Sequence, residues 1–197
     1  MFVSLEGIDG SGKTTQAKRL ARELGEDTIL VREPGGTEAG ERIRTLIADP
    51  ELPLEPLAEL LLFCAARAQL VAEVIRPALD QGRDVVADRF TDSTIAYQGA
   101  ARGLGVQRVA ELCRVATDEL EPDLTLYLRV DPGAARKRVK GGDRFESEGV
   151  EFAAAVAAGY DELAAANPDR IRVIDAGGSV EKVHQRVMEE VGRLAHS

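Results

Sequence analysis

Gly7-Ile8-Asp9-Gly10-Ser11-Gly12-Lys13-Thr14 is the segment that most restricts what this chain can become. It fits G-x-x-x-x-G-K-[ST], and it lies between an apolar run, Phe2-Val3-Ser4-Leu5-Glu6, and a helical pattern from about Lys13 to Leu24 that Gly25 ends. Strand, glycine-rich loop and helix in that order aim consecutive backbone N–H groups and a helix N-terminus at one point, which suits phosphate oxygens. Gly7, Ile8, Asp9, Gly10, Ser11, Gly12, Lys13 and Thr14 are therefore expected to cradle a nucleoside triphosphate. Lys13 would reach its β and γ oxygens, and the Thr14 hydroxyl would hold Mg²⁺.

Further apolar runs follow at Thr28 to Arg32, Asp84 to Asp88, Leu124 to Val130 and Ile171 to Ile174, with helix-like stretches between them. Five strands alternating with helices predict an α/β fold, a parallel sheet flanked by helices on both faces. The longest helix candidate runs from about Leu57 to Leu79, with Pro56 before it, Gly82 after it and Pro77 tolerated in its last turn. Ala153 to Ala158 reads as a good helix former. No repeat or low-complexity linker interrupts the 197 residues, so one domain spanning 1–197 is expected.

A net charge of −9 argues against general binding to nucleic acid. The local exception is the segment from Arg136 to Arg144, where Arg136, Lys137, Arg138, Lys140 and Arg144 face a single acid, Asp143. The apolar run around Leu60 to Ala66 is too short to span a bilayer, and no export signal opens the chain, so a cytoplasmic protein without a membrane anchor is expected. Cys64 and Cys113 stand in apolar helical contexts and read as small buried hydrophobes.

A nucleotide site alone does not name a reaction. The Asn-Lys-x-Asp motif of guanine-binding switches is absent, and the chain is too short for a motor. Asp88-Arg89 ends the apolar third strand, so both side chains emerge at the carboxyl edge of a parallel sheet, where ligands bind. Asp88 suits Mg²⁺ through a water, and Arg89 suits a second phosphate. Arg32-Glu33-Pro34-Gly35-Gly36-Thr37 leaves the second strand at the same edge. Phe63 and Arg67, four apart on the long helix, share a face that serves either a nucleobase or core packing with a snorkelling Arg. Together these residues ask for an acceptor that is itself a phosphate. Such a monoester is already largely dianionic at neutral pH, which explains the lack of an obvious catalytic base. Catalysis would rest on positioning and charge neutralisation, with the basic segment at about 136–149 as a mobile cover.

The ordered set of motifs resembles the bacterial thymidylate kinases over nearly the whole chain. It comprises Leu5 to Thr15, Arg32 to Thr37, Ala65-Ala66-Arg67-Ala68-Gln69, Asp88-Arg89-Phe90, Ala96-Tyr97-Gln98-Gly99, Pro122 to Leu128 and Asp143-Arg144-Phe145-Glu146. The resemblance implies a P-loop nucleoside monophosphate kinase fold, a homodimer, and magnesium-dependent transfer of the γ-phosphoryl group of ATP to dTMP, giving dTDP for dTTP synthesis. By position it implies that Asp9 approaches the acceptor's 3′-hydroxyl and that Arg32 and Arg89 hold its phosphate. Phe63 would stack on thymine, Arg67 would bond a ring carbonyl, Tyr97 would crowd the 2′ carbon, and Gln98 would line the same pocket. Gly10 stands where some members carry an Arg, so the catalytic cation is expected from the cover. Lys140 falls where an Arg is expected, and the choice among Arg138, Lys140 and Arg144 stays open. Two other readings remain: a P-loop kinase for another monophosphate, and a nucleotide-binding partner without catalysis.

Overall fold

The computed structural model describes residues 1–138, 144–145 and 148–194. The five expected strands form β1 (Phe2–Glu6), β2 (Ile29–Arg32), β3 (Val85–Asp88), β4 (Leu124–Arg129) and β5 (Ile171–Asp175), all parallel in the order β2-β3-β1-β4-β5. Strand composition follows position. β1 and β3, covered on both faces, are buried along their whole length. The edge strands β2 and β5 carry exposed residues, Leu30 and Val173 among them.

Alternation along the strands sends side chains to two different cores. Val3, Leu5, Val86, Leu126, Leu128 and Ile174 face helices α1 (Lys13–Leu24) and α9 (Val180–Leu194), meeting Ala17, Leu20, Val183, Val187 and Val191. On the other face, Phe2, Val31, Val85 and Ala87 pack under Leu70, Val71 and Ile75. That face also carries a polar seam: Ser4 Oγ bonds Thr125 Oγ1 at 2.8 Å, Thr125 donates to Asp92, and Arg170 pairs with the same carboxylate.

Helix α2 (Glu38–Ala48) is capped by Thr37, whose hydroxyl accepts from the Gly40 N–H. The single long helix expected from Leu57 to Leu79 is a composite. It comprises α3 (Pro56–Leu70), a π-helical segment (Val71–Ile75) and α4 (Arg76–Asp80). Position in the last turn is therefore not the whole reason that Pro77 is tolerated. The widened turn before it, in which the Arg76 N–H reaches back to Val71 O, removes the regular α ladder that the proline ring would break. After β3 come α5 (Thr91–Thr94), a second π-helical segment (Ile95–Ala101) and α6 (Val106–Thr117). α7 (Pro132–Arg136) and the Ala-rich α8 (Val150–Ala166) complete the set.

Candidate active site

The carboxyl ends of β1, β2 and β3 open on a cavity of about 260 Å³. It gathers every acceptor-side residue expected from the sequence: Asp9, Arg32, Phe63, Arg67, Arg89, Tyr97 and Gln98. Lys13, Thr14 and Asp88 line it as well, so the nucleotide loop and the acceptor residues share one space.

The loop needs its glycines. Gly7, Gly10 and Gly12 have φ of 142°, 81° and 93°, a region that side chains rarely adopt. A Cβ on Gly10 would stand 2.3 Å from the Ala135 carbonyl oxygen, so position 10 has no room for a side chain. From beyond α7, Arg138 Nη1 donates to Gly10 O at 3.3 Å.

Within the loop a charged cluster organises itself around Asp9. Its Oδ1 accepts from Lys13 Nζ at 3.3 Å and from Arg89 Nη2 at 2.7 Å, and its Oδ2 accepts from the Tyr97 hydroxyl at 3.2 Å. Burial works against the Asp9 charge, but Lys13 and Arg89 outweigh it and hold the carboxyl well below the usual carboxylate range. Burial and the Arg89 charge in turn lower the Lys13 ammonium, against the pull of Asp9 and Asp88. Burial raises the Tyr97 phenol, which stays a neutral hydroxyl bridging Arg89 and Asp9.

Arg89 is a non-glycine residue at φ 76°. The turn is held from both sides: Arg89 N donates to Leu5 O at 3.0 Å, and the next amide, Phe90 N, donates to Glu6 Oε1 at 2.7 Å. The guanidinium then bonds Gly7 O and Ser93 Oγ as well as Asp9 and Tyr97. Glu6, fully buried, accepts from Tyr160 and Ser93, and burial together with the nearby Asp92 charge raises its carboxyl to about 7.

Arg67 is neither a snorkelling side chain nor a solvated fork. It is 1% exposed, and Glu33, 4% exposed, meets it with a bond of 2.8 Å from Nε. Phe90 O and Thr94 Oγ1 take up Nη2, and Cys113 Sγ lies 3.5 Å from Nη1. The guanidinium forms part of the cavity wall beneath Phe63 with its plane already fixed. Cys113 is thus buried and free as expected, as is Cys64, but it also serves as an acceptor.

Thr14 Oγ1 donates to Asp88 Oδ2 at 2.6 Å, while Asp88 Oδ1 is buried with no hydrogen-bond partner among the described residues. A hydroxyl beside a carboxylate with an unused oxygen is a set of hard oxygen donors, and it fits Mg²⁺ shared with phosphates and water. No cluster of three or more acidic, His or Cys ligands exists among the described residues.

The basic segment divides. Arg138 touches the nucleotide loop, whereas Arg144 bonds the buried carboxylate of Glu59 and the Ile47 carbonyl. Lys140 lies outside the described residues. Sequence reasoning missed Glu59, the structural part of Glu33 and Glu6, the Arg44 guanidinium in the cavity wall, and Phe145, whose ring packs 5.8 Å from Phe63 and 6.2 Å from Tyr97. An acid inside an apolar helical stretch, as Glu59 is, was the one available signal.

Comparison with known proteins gives the family. The family model described as thymidylate kinase matches residues 5–187. The chain is 47% identical over 196 residues to the thymidylate kinase of Kosmotoga olearia, covering 96% of this chain and 94% of that one. It is 49% identical over 195 residues to that of Synechococcus sp. (strain JA-3-3Ab), covering 97% and 95%. A crystal structure of thymidylate kinase from Ehrlichia chaffeensis superposes with a TM-score of 0.82 at 36% identity, covering 97% of this chain and 98% of that one.

Proposed function

Because the chain belongs to the thymidylate kinase family, with its fold and its phosphorylation of dTMP to dTDP, we propose that the cavity at the β1–β3 edge holds dTMP facing ATP on the Gly7–Thr14 loop. The observation that carries this reading is the convergence of Lys13, Arg89 and Asp9 in one bonded cluster. It puts the nucleotide loop's lysine and the acceptor's arginine on the same carboxylate.

ATP would lie with its phosphates on the loop N–H groups and Lys13. Arg89 and Arg32 would hold the acceptor phosphate, Phe63 would face the base, Arg67 would donate to a ring carbonyl, and Tyr97 would occupy the space beside the 2′ carbon. An acceptor oxygen then forms a bond to the γ phosphorus as the bond to the ADP oxygen breaks. No proton has to leave, since a phosphate monoester with second pKa near 6 is mostly dianionic at neutral pH. What the protein supplies is in-line placement and cations across two polyanions, from Lys13, Arg89 and Arg138. Mg²⁺, for which Thr14 and Asp88 are the donors present, would neutralise β and γ oxygens when bound. The basic segment at about 136–149 acts as the cover, a role supported by its charge and by the Arg138 contact with Gly10.

The protein acts as a homodimer, a reading supported by the family and by the exposed Leu57 and Leu61 of α3. Its substrates are charged nucleotides met in the cytoplasm, and its net charge of −9 disfavours nucleic acid as a partner. Among the described residues no helix is long and apolar enough to cross a membrane.

A coupled ADP-release assay with MgATP tests the reading. Strong preference for dTMP over its ribose counterpart, dCMP, AMP and GMP is expected. Equal turnover of all five would leave the nucleotide loop in place and overturn the acceptor pocket.

A further inference from the structure

Glu59 is a carboxylate in the middle of α3, only 1% exposed, and none of the sequence motifs accounts for it. Its charge is met by two guanidiniums: Arg144 bonds Oε2, and Arg102 approaches Oε1 at 3.6 Å. The third partner is the side chain of Gln98, whose Nε2 donates to Glu59 Oε1 at 2.7 Å. Gln98 itself is 1% exposed and lines the cavity beside Tyr97.

A carboxylate between two guanidiniums accepts hydrogen bonds and does not donate them. An amide facing it must therefore present its NH₂ end, so the usual twofold ambiguity of a glutamine side chain is removed. With one Nε2–H donated to Glu59, the carbonyl oxygen is the end turned away from that carboxylate, and Gln98 lines the cavity. That end accepts only. Thymine carries a donor on the Watson–Crick edge, N3–H, whereas cytosine carries a lone pair at the same position.

We infer that Glu59 is a positioning residue for base selection: by fixing the orientation of the Gln98 amide, it makes the pocket accept from N3–H of a thymine-type base and turn away a cytosine-type base. The inference rests on the reading of this cavity as the dTMP site. Glu59 does not line the cavity, so it acts on the base through Gln98.

Glu59→Gln tests it with little change in volume. The introduced amide can keep its oxygen on Arg144 only by turning its NH₂ toward Gln98, which must then offer its own oxygen to that amide and its NH₂ to the cavity. The expected result is a fall of about tenfold or more in the ratio of kcat/KM for dTMP to that for dCMP, the scale on which a reversed hydrogen bond discriminates. It is carried by a higher KM for dTMP and a gain with dCMP. In Gln98→Met the same Glu59→Gln change should leave the ratio unmoved. A folded Glu59→Gln protein with the wild-type ratio overturns the inference, while a wild type that does not prefer dTMP overturns the underlying reading instead. If Glu59→Gln does not fold, the wild type decides by NMR. The Gln98 NH₂ resonance, identified by its absence from Gln98→Met, should exchange slowly and stay put when dTMP binds. A large shift on adding dTMP would mean that the NH₂ faces the base, and would sink the inference.

Discussion

Arg89 is central to the proposed site. Its backbone sits at φ 76°, a conformation costing on the order of 1 kcal/mol for a side chain with a Cβ. It is held there by Leu5 O and by the Glu6 carboxylate on the following amide. The gain is direction: from that turn the guanidinium meets Asp9, Gly7 O, Ser93 and Tyr97 together. Arg89→Ala keeps the turn and removes the cation, so kcat/KM for dTMP should fall by roughly a hundredfold or more. The melting temperature should move by only a few degrees, and a coupled assay beside a thermal melt checks both. The position of a cation at the end of β3 was legible in the sequence, because the buried strand pattern ends on Asp88-Arg89. Its dependence on Glu6 was not, since 84 residues separate Glu6 from the Phe90 amide that it holds.

Between elements, the Glu33–Arg67 pair joins the end of β2 to α3 through two side chains almost without solvent contact. Burying such a pair brings little net stability, but breaking it leaves one charge stranded. Glu33→Leu should therefore lower the unfolding free energy by about 3–5 kcal/mol, measured by urea titration. Adding Arg67→Met to it should restore most of that loss while leaving dTMP poorly bound. The second π-helical segment, Ile95–Ala101, contains both Tyr97 and Gln98, which line the cavity. Apolar periodicity shows where a helix runs but is blind to one extra residue in a turn, which is why Val71–Ile75 is absorbed into the single helix expected from Leu57 to Leu79.

For the whole molecule, the buried Glu6 ties global stability to pH. Its carboxyl stands near an ordinary 4.5 when unfolded and at about 7 when folded, because burial and Asp92 disfavour its charge. Between those values the folded state binds more protons than the unfolded state, so this group's contribution to stability is greatest on the acid side and declines as pH rises through about 7. Glu6→Gln should flatten the fall in melting temperature between pH 5 and pH 8, and an unchanged slope would remove Glu6 as its source. The sequence alone determined the parallel α/β frame, the glycine-rich loop and charged side chains at the strand ends that line the cavity, because each follows from a local pattern: a run of apolar residues, a glycine spacing, or a charge at a strand's end. Only the tertiary structure decided that Arg138 meets the loop while Arg144 turns to Glu59, that Arg67 is locked by Glu33, and that Gln98 is turned by Glu59. Those outcomes depend on which buried charge lies next to which, and burial and pairing arise from contacts between segments far apart in the chain.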